Sequence, residues 1–158
     1  MKFADAAEYF RKLHNILSAI ILAPVLCFGY VYLESGYGDN PIPPPTQADI
    51  RTYLLAFTLV ALVTWSIAAF MRRLKELRQL EQLTDRLSGY ARAVIARFGA
   101  AALAGFAAVA GLYFTNDPIH VGLFVFLMIF MSSWWPSASR VCRHLRLGKE
   151  EREWVMKK

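Results

Sequence analysis

The side chains able to do chemistry in this 158-residue chain are few and far apart. They are three histidines (His14, His120 and His144), two thiols (Cys27 and Cys142) and one charge, Arg97, that intrudes into an apolar stretch. The histidines fall at ends and depths too different to act as paired axial ligands of a haem or as a first-row metal site. There is no CxxC pair, which argues against the quinone-linked thiol oxidants. Thr58, Thr64 and Ser66 carry hydroxyls that are expected to bond back to their own helix backbone. No base stands at a depth that would activate a serine nucleophile.

The acids say as much by their positions. No Asp or Glu falls inside any of the four apolar segments, although proton-driven transporters and ion-carrying rotor subunits commonly use such a carboxylate to bind and release their ion. Acid clusters of the kind that hold Mg²⁺ and a phosphate are missing as well. The expectation is therefore no catalytic residue, no metal and no cofactor. Arg97 lies near the end of its segment, where a long side chain is expected to snorkel to the lipid headgroups; the alternative is a grip on an anionic headgroup or on a partner carboxylate.

The elements that must position these residues are apolar helices. With 56% apolar and 19% charged residues, the composition lies outside the soluble range. Four segments of near spanning length stand out, 13–33, 52–71, 93–114 and 119–135. Runs such as VGLFVFLMIFM do not alternate as barrel strands do. The reading is all-α: a single-domain polytopic membrane protein over 1–158, four transmembrane helices in an antiparallel bundle, helices 2 and 3 extending into the cytoplasm.

Lysine and arginine orient it. Three precede the first span, Arg51 lies in the first loop, seven occupy 72–97 and seven follow the fourth span, so 17 of 18 lie on one side. The positive-inside rule then makes both termini and the hairpin 72–92 cytoplasmic, in a bacterial inner membrane. The excess of six positive charges is a consequence of topology that attracts anionic lipids. Nucleic acid is not expected as a partner, since no binding motif accompanies the basic residues. Cys27 within a span and Cys142 beyond the last are too different in depth to bridge, and each is expected as a buried apolar residue or a free thiol.

Along the chain, Phe3, Ala6, Ala7 and Phe10 predict an interfacial helix running into the first span, which is expected to be retained rather than cleaved. Pro24 should kink that span, as a packing feature or as a hinge. The Gly- and Pro-rich 34–46 reads as a stiff extracytoplasmic spacer, and Thr46 with Asp49 as a capping box. Leu74, Leu77, Leu80 and Leu83 continue an apolar stripe beyond the second span. They need a cover: the returning helix, the C-terminal segment, a second copy or the headgroup layer. A turn is expected within 79–84, with Thr84 as a helix cap.

Helix three carries small residues at helical spacing, among them Ala101, Ala104, Gly105, Ala108 and Gly111, a face on which other helices can pack closely. Asp117 and Pro118 should start helix four. Trp134 and Trp135 place indoles at the interface, Pro136 ends the span, and a basic amphipathic tail follows over 137–158. Arg72, Arg73, Arg92, Arg97, Arg140 and Arg143, with the two tryptophans, are the candidate contacts to lipid headgroups or to a partner.

The stretch RLSGYARAVIARFGAAALAGFAAVAGLYFTND, the apolar helix after it and WWPSASRVCRHLRLGKEERE together resemble small uncharacterised four-helix bacterial inner-membrane proteins. The likeness covers the last half of the chain. It implies location and topology and transfers no active-site residue. The expectation is a non-enzymatic structural or accessory subunit of a homo- or hetero-oligomeric membrane assembly, with a protein partner or self-association. The alternatives are a small transporter or channel completed by oligomerisation and, third, an interfacial lipid-acting enzyme using Arg92, Arg97, Cys142 and His144.

Overall fold

A computed structural model describes residues 6–34 and 50–156, and these residues form six helices and no strand. They are α1 (Ala6–Glu34), α2 (Ile50–Leu77), α3 (Leu83–Thr115), α4 (Ile119–Ser133), α5 (Ala138–Leu145) and α6 (Lys149–Met156). The proline spacer and the expected capping box at Thr46 and Asp49 lie outside the described residues. Three helices, α1 to α3, are long and apolar enough to cross a membrane. This is the make-up of a helical membrane protein.

The fourth apolar segment is shorter as a helix than its composition suggests. Its 15 residues rise only about 22 Å against a hydrocarbon layer of about 30 Å. The break at Trp134–Ser137 then turns the chain by 78° into α5, so a fourth crossing exists only if α4 and α5 count as one bent span. Arg140 holds this bend from inside the fold. Its guanidinium donates to the carbonyls of Ser133 and, at 3.2 Å, Trp135, which the end of α4 leaves without helical partners.

Helix α3 is the hub. It packs against α1, α2 and α4, and its small residues face these neighbours. α1 runs beside α3 in the same direction, with Tyr9 at Leu87 and Pro24 at Gly105, while α4 runs opposite, with His120 at Gly111 and Leu127 at Gly105. Pro24 stays inside a continuous helix and is buried, and a Cβ added at Gly105 would lie 3.2 Å from the Cβ of Pro24. The proline thus acts here as a packing surface. Large apolar side chains on the outer faces, such as Phe57, Val60, Leu103 and Phe126, are exposed and form the apolar exterior.

The α2–α3 turn falls where expected, but its cap does not. α2 unwinds through i→i−3 bonds at Gln79 and Leu80, and α3 starts at Leu83 with Gln82, not Thr84, as the capping position and without a side-chain cap. Helix α4 likewise begins at Ile119, one residue later than the Asp117–Pro118 pattern implies, though the Asp117 carboxylate still accepts the Ile119 N–H at 3.0 Å. Between α3 and α4 the chain reverses at Asn116, which takes a left-handed φ of 53°. Asparagine tolerates that conformation better than most residues.

Beyond the apolar region, the start of α1, the α2–α3 turn, α5 and α6 form one block. Leu74, Leu87, Val141, Leu145 and Val155 are all buried in a common core. Tyr9 donates to the Leu87 carbonyl at 3.0 Å, Arg78 to the His144 carbonyl at 2.8 Å, and Arg86 pairs with Glu151 at 3.5 Å. The leucine stripe is thus covered largely from within the chain. Leu74 is inaccessible, Leu77 and Leu83 are half-buried, and Leu80 is exposed.

Candidate functional site

The site is built around Arg97, about four turns into α3 and little more than one turn beyond Arg92. The side chain does not snorkel outward. Only 6% of the residue is exposed, and its guanidinium carbon sits 4.1 Å from the ring centre of Trp134, 5.2 Å from Phe70 and 5.4 Å from Phe130. Three aromatic faces on α2, α4 and the α4–α5 bend thereby stabilise the cation through their π electrons. Hydrogen bonding is left incomplete, because Nη2 is buried without a partner among the described residues. A guanidinium has five N–H donors and aromatic faces satisfy none of them as an anion would.

Arg97 opens onto a cleft of about 480 Å³ between α2 and α3, whose polar lining is Ser66, Arg73, Glu76 and Arg92. The cleft has room because four of the α3 residues that line it are small, Gly89, Ala93, Ala96 and Ala100. Its single acid, Glu76, is engaged by Arg73 at 3.2 Å, and both are largely exposed, so that pair contributes little stability. The Ser66 hydroxyl donates to the Val63 carbonyl at 2.8 Å, the back-bond expected of a hydroxyl in an apolar helix. Three arginines and one glutamate leave a surplus of positive charge in the cleft.

A second, apolar groove of about 220 Å³ lies further along α2 and α3, with Leu123, Phe126, Leu127 and Phe130 of α4 completing its wall. Ala100 lines the cleft, and Ala104 and Ala108, one and two turns on, line the groove opposite Leu59 and Val63. Phe130 stands between them, one face toward Arg97 and the ring lining the groove. The one hydroxyl in the groove, that of Thr64, is bonded to the Val60 carbonyl at 2.8 Å.

The other sequence-derived candidates scatter. Arg72 and Arg143 are exposed, and Arg140 holds the α4–α5 bend. Trp135 is half-buried against Phe98 and His14, away from the Trp134 face that meets Arg97. Cys27 is exposed and Cys142 buried, and neither is bonded to the other. His144 accepts or donates at 3.2 Å from the Tyr90 hydroxyl and packs on Phe70, which joins α5 to the hub. Burial, with Arg143, Arg140, Arg97 and Arg78 nearby, holds the His144 imidazole below its usual pKa, so it is neutral at pH 7. His120 is fully buried, and neither ring nitrogen has a partner among the described residues. No group of three or more potential metal ligands occurs among the described residues.

Phe70 and Phe130 escaped the sequence reading. The only trace of the cage was the i, i+4 spacing of Phe130 and Trp134 on one helix face. No known family model, curated protein or solved structure matches this chain.

Proposed function

We propose that the chain is a non-enzymatic four-span protein of the bacterial inner membrane, a structural or accessory subunit of a homo- or hetero-oligomeric assembly. Its working site is the Arg97 cleft, which receives an anionic group from outside the chain. One observation carries this reading: a buried guanidinium with an unfilled donor and no carboxylate of its own. An unpaired buried cation costs several kcal/mol or more unless an anion completes it, so an incomplete site points to an external ligand.

Topology is argued from the charge pattern, with both termini and the hairpin in the cytoplasm. The meeting of the α1 start, the α2–α3 turn and the α5–α6 pair at one end of the molecule agrees with that arrangement. Helix α4 is then the apolar part of the fourth span, its bend bringing α5 to the interface, and the block formed at that end is a rigid platform for a neighbouring subunit.

Native mass measurement after extraction in mild detergent tests the proposal. The expected particle exceeds one 17.9 kDa chain and carries an anionic component. A monodisperse monomer with no copurifying anion, indistinguishable from its Arg97→Gln variant, would overturn it.

A further inference from the structure

We propose that the external anion is a phospholipid with an anionic headgroup, its phosphate against Arg97 and Arg92 and one acyl chain along the groove beyond Phe130. This rests on the reading of the cleft as an anion site and names the class of ligand. Three features of the molecule support it together.

The first is the state of Arg97: more than nine-tenths buried, part of the cleft wall, and with Nη2 short of a hydrogen-bond acceptor among the described residues. A phosphate presents pairs of oxygens that accept side by side from the planar guanidinium. Arg92, exposed on the same cleft, has no ion pair among the described residues and can reach the same group.

The second is the gradient of polarity. Charge is confined to one end, while the adjoining groove is lined by Leu59, Val63, Ala104, Ala108 and Phe130 and presents no free polar group. A soluble anion would use the cleft and leave the groove empty. An amphiphile uses both: the cleft and the groove follow one another along α2 and α3, and Phe130 of α4 meets Arg97 on one side and lines the groove on the other.

The third is selectivity by charge. The cleft's surplus of arginine over glutamate favours a net-negative headgroup over a zwitterionic one, and its one acid is already paired with Arg73. Exposed charges would also gather anionic lipid at the surface, but that attraction is screened by salt, whereas a seated headgroup is screened much less.

The experiment is native mass spectrometry of the full chain from nanodiscs containing equal phosphatidylglycerol and phosphatidylcholine, washed at about 0.5 M salt to screen surface attraction. The expected result is one retained phosphatidylglycerol per chain, at least roughly tenfold preferred, with a higher melting temperature than in phosphatidylcholine alone, as binding to the folded state requires. Arg97→Gln should lose the preference, and Val63→Phe, narrowing the groove, should weaken retention of long-chain lipid but not of its short-chain analogue. If glycerol phosphate or inorganic phosphate displaces the lipid and gives the same melting shift, the cleft is a soluble-anion site: the lipid assignment fails and the anion reading stands. If wild-type protein shows neither preference nor melting shift with any of these anions, both fail, whether or not the variants fold.

Discussion

Gly111 leaves a space on α3 that the His120 imidazole fills. A Cβ built on Gly111 would stand 2.6 Å from both Cε1 and Nδ1 of His120, closer than real side chains approach. The small-residue face of α3 is thus matched, at this turn, to one particular ring on α4.

Gly111→Ala should therefore destabilise the protein even though alanine is the better helix former by about 1 kcal/mol. The rigid ring has to move, and overpacking of this kind costs about 1–3 kcal/mol. Gly89→Ala should be milder, because the atom it meets is the end of the flexible Leu77 side chain. Thermal melts in detergent compare the two, and Gly111→Ala combined with His120→Ala should recover part of the loss through coupling of touching residues. Equal melting of Gly111→Ala and wild type would show that the ring gives way freely.

Arg97 and Trp134 are separated by 4.1 Å across the α3–α4 boundary, and this pair should trade stability against binding. Replacing the unpaired guanidinium by an apolar chain, Arg97→Met, should raise the melting temperature of lipid-free protein, since a buried charge lacking its partner is unfavourable. The same variant should lose any anion-dependent stabilisation. Trp134→Ala should lower stability, the cation–π share being about 1–2 kcal/mol in a desolvated setting. Scanning calorimetry with and without anionic amphiphile measures both effects.

The His144–Tyr90 contact should make the block formed by the α1 start, the α2–α3 turn, α5 and α6 sensitive to acid. The folded pKa of His144 lies below its unfolded value of 6.5, so the neutral ring is favoured by folding. That contribution is complete above pH 6.5 and is lost as pH falls from there toward the folded pKa, because the unfolded chain takes up the proton first. Hydrogen exchange in α5 and α6 should accelerate as pH falls below this value, after correction for intrinsic rates. His144→Gln should remove the dependence, and an unchanged pH profile in that variant would rule the imidazole out as its source.

Tyr9→Phe should loosen the start of α1 from α3. The buried hydroxyl donates to the Leu87 carbonyl, and losing one such bond costs about 1 kcal/mol. Exchange protection should fall around residues 83–90 while the apolar core near Ala104 keeps its protection. A uniform loss across α3 would instead mark the bond as part of the global core.

Several features were legible in the sequence because they are properties of one helix or one loop. Long apolar runs must satisfy their backbone internally and so become helices, and acids and bases excluded from them mark the ends. The small-residue spacing on α3 pointed to close packing, and Pro136 marked the end of the last apolar run. The caps expected at Thr84 and Asp117 moved, by two residues back to Gln82 and by one residue on to Pro118, and neither of these caps its helix with a side chain.

The sequence by itself determined an all-helical chain with long apolar segments, separated charges and no intramembrane carboxylate. Only the tertiary structure decided what α3 meets: that Phe70, Phe130 and Trp134 close around Arg97, that the C-terminal helices share a core with Leu74, and that Ala104 and Ala108 leave an apolar groove beside α2 and α4. The physical reason is range. Helix formation is written in neighbours three and four residues apart, whereas the caging of Arg97 depends on the depth and rotation of three helices whose contributing residues lie 27 to 37 positions away.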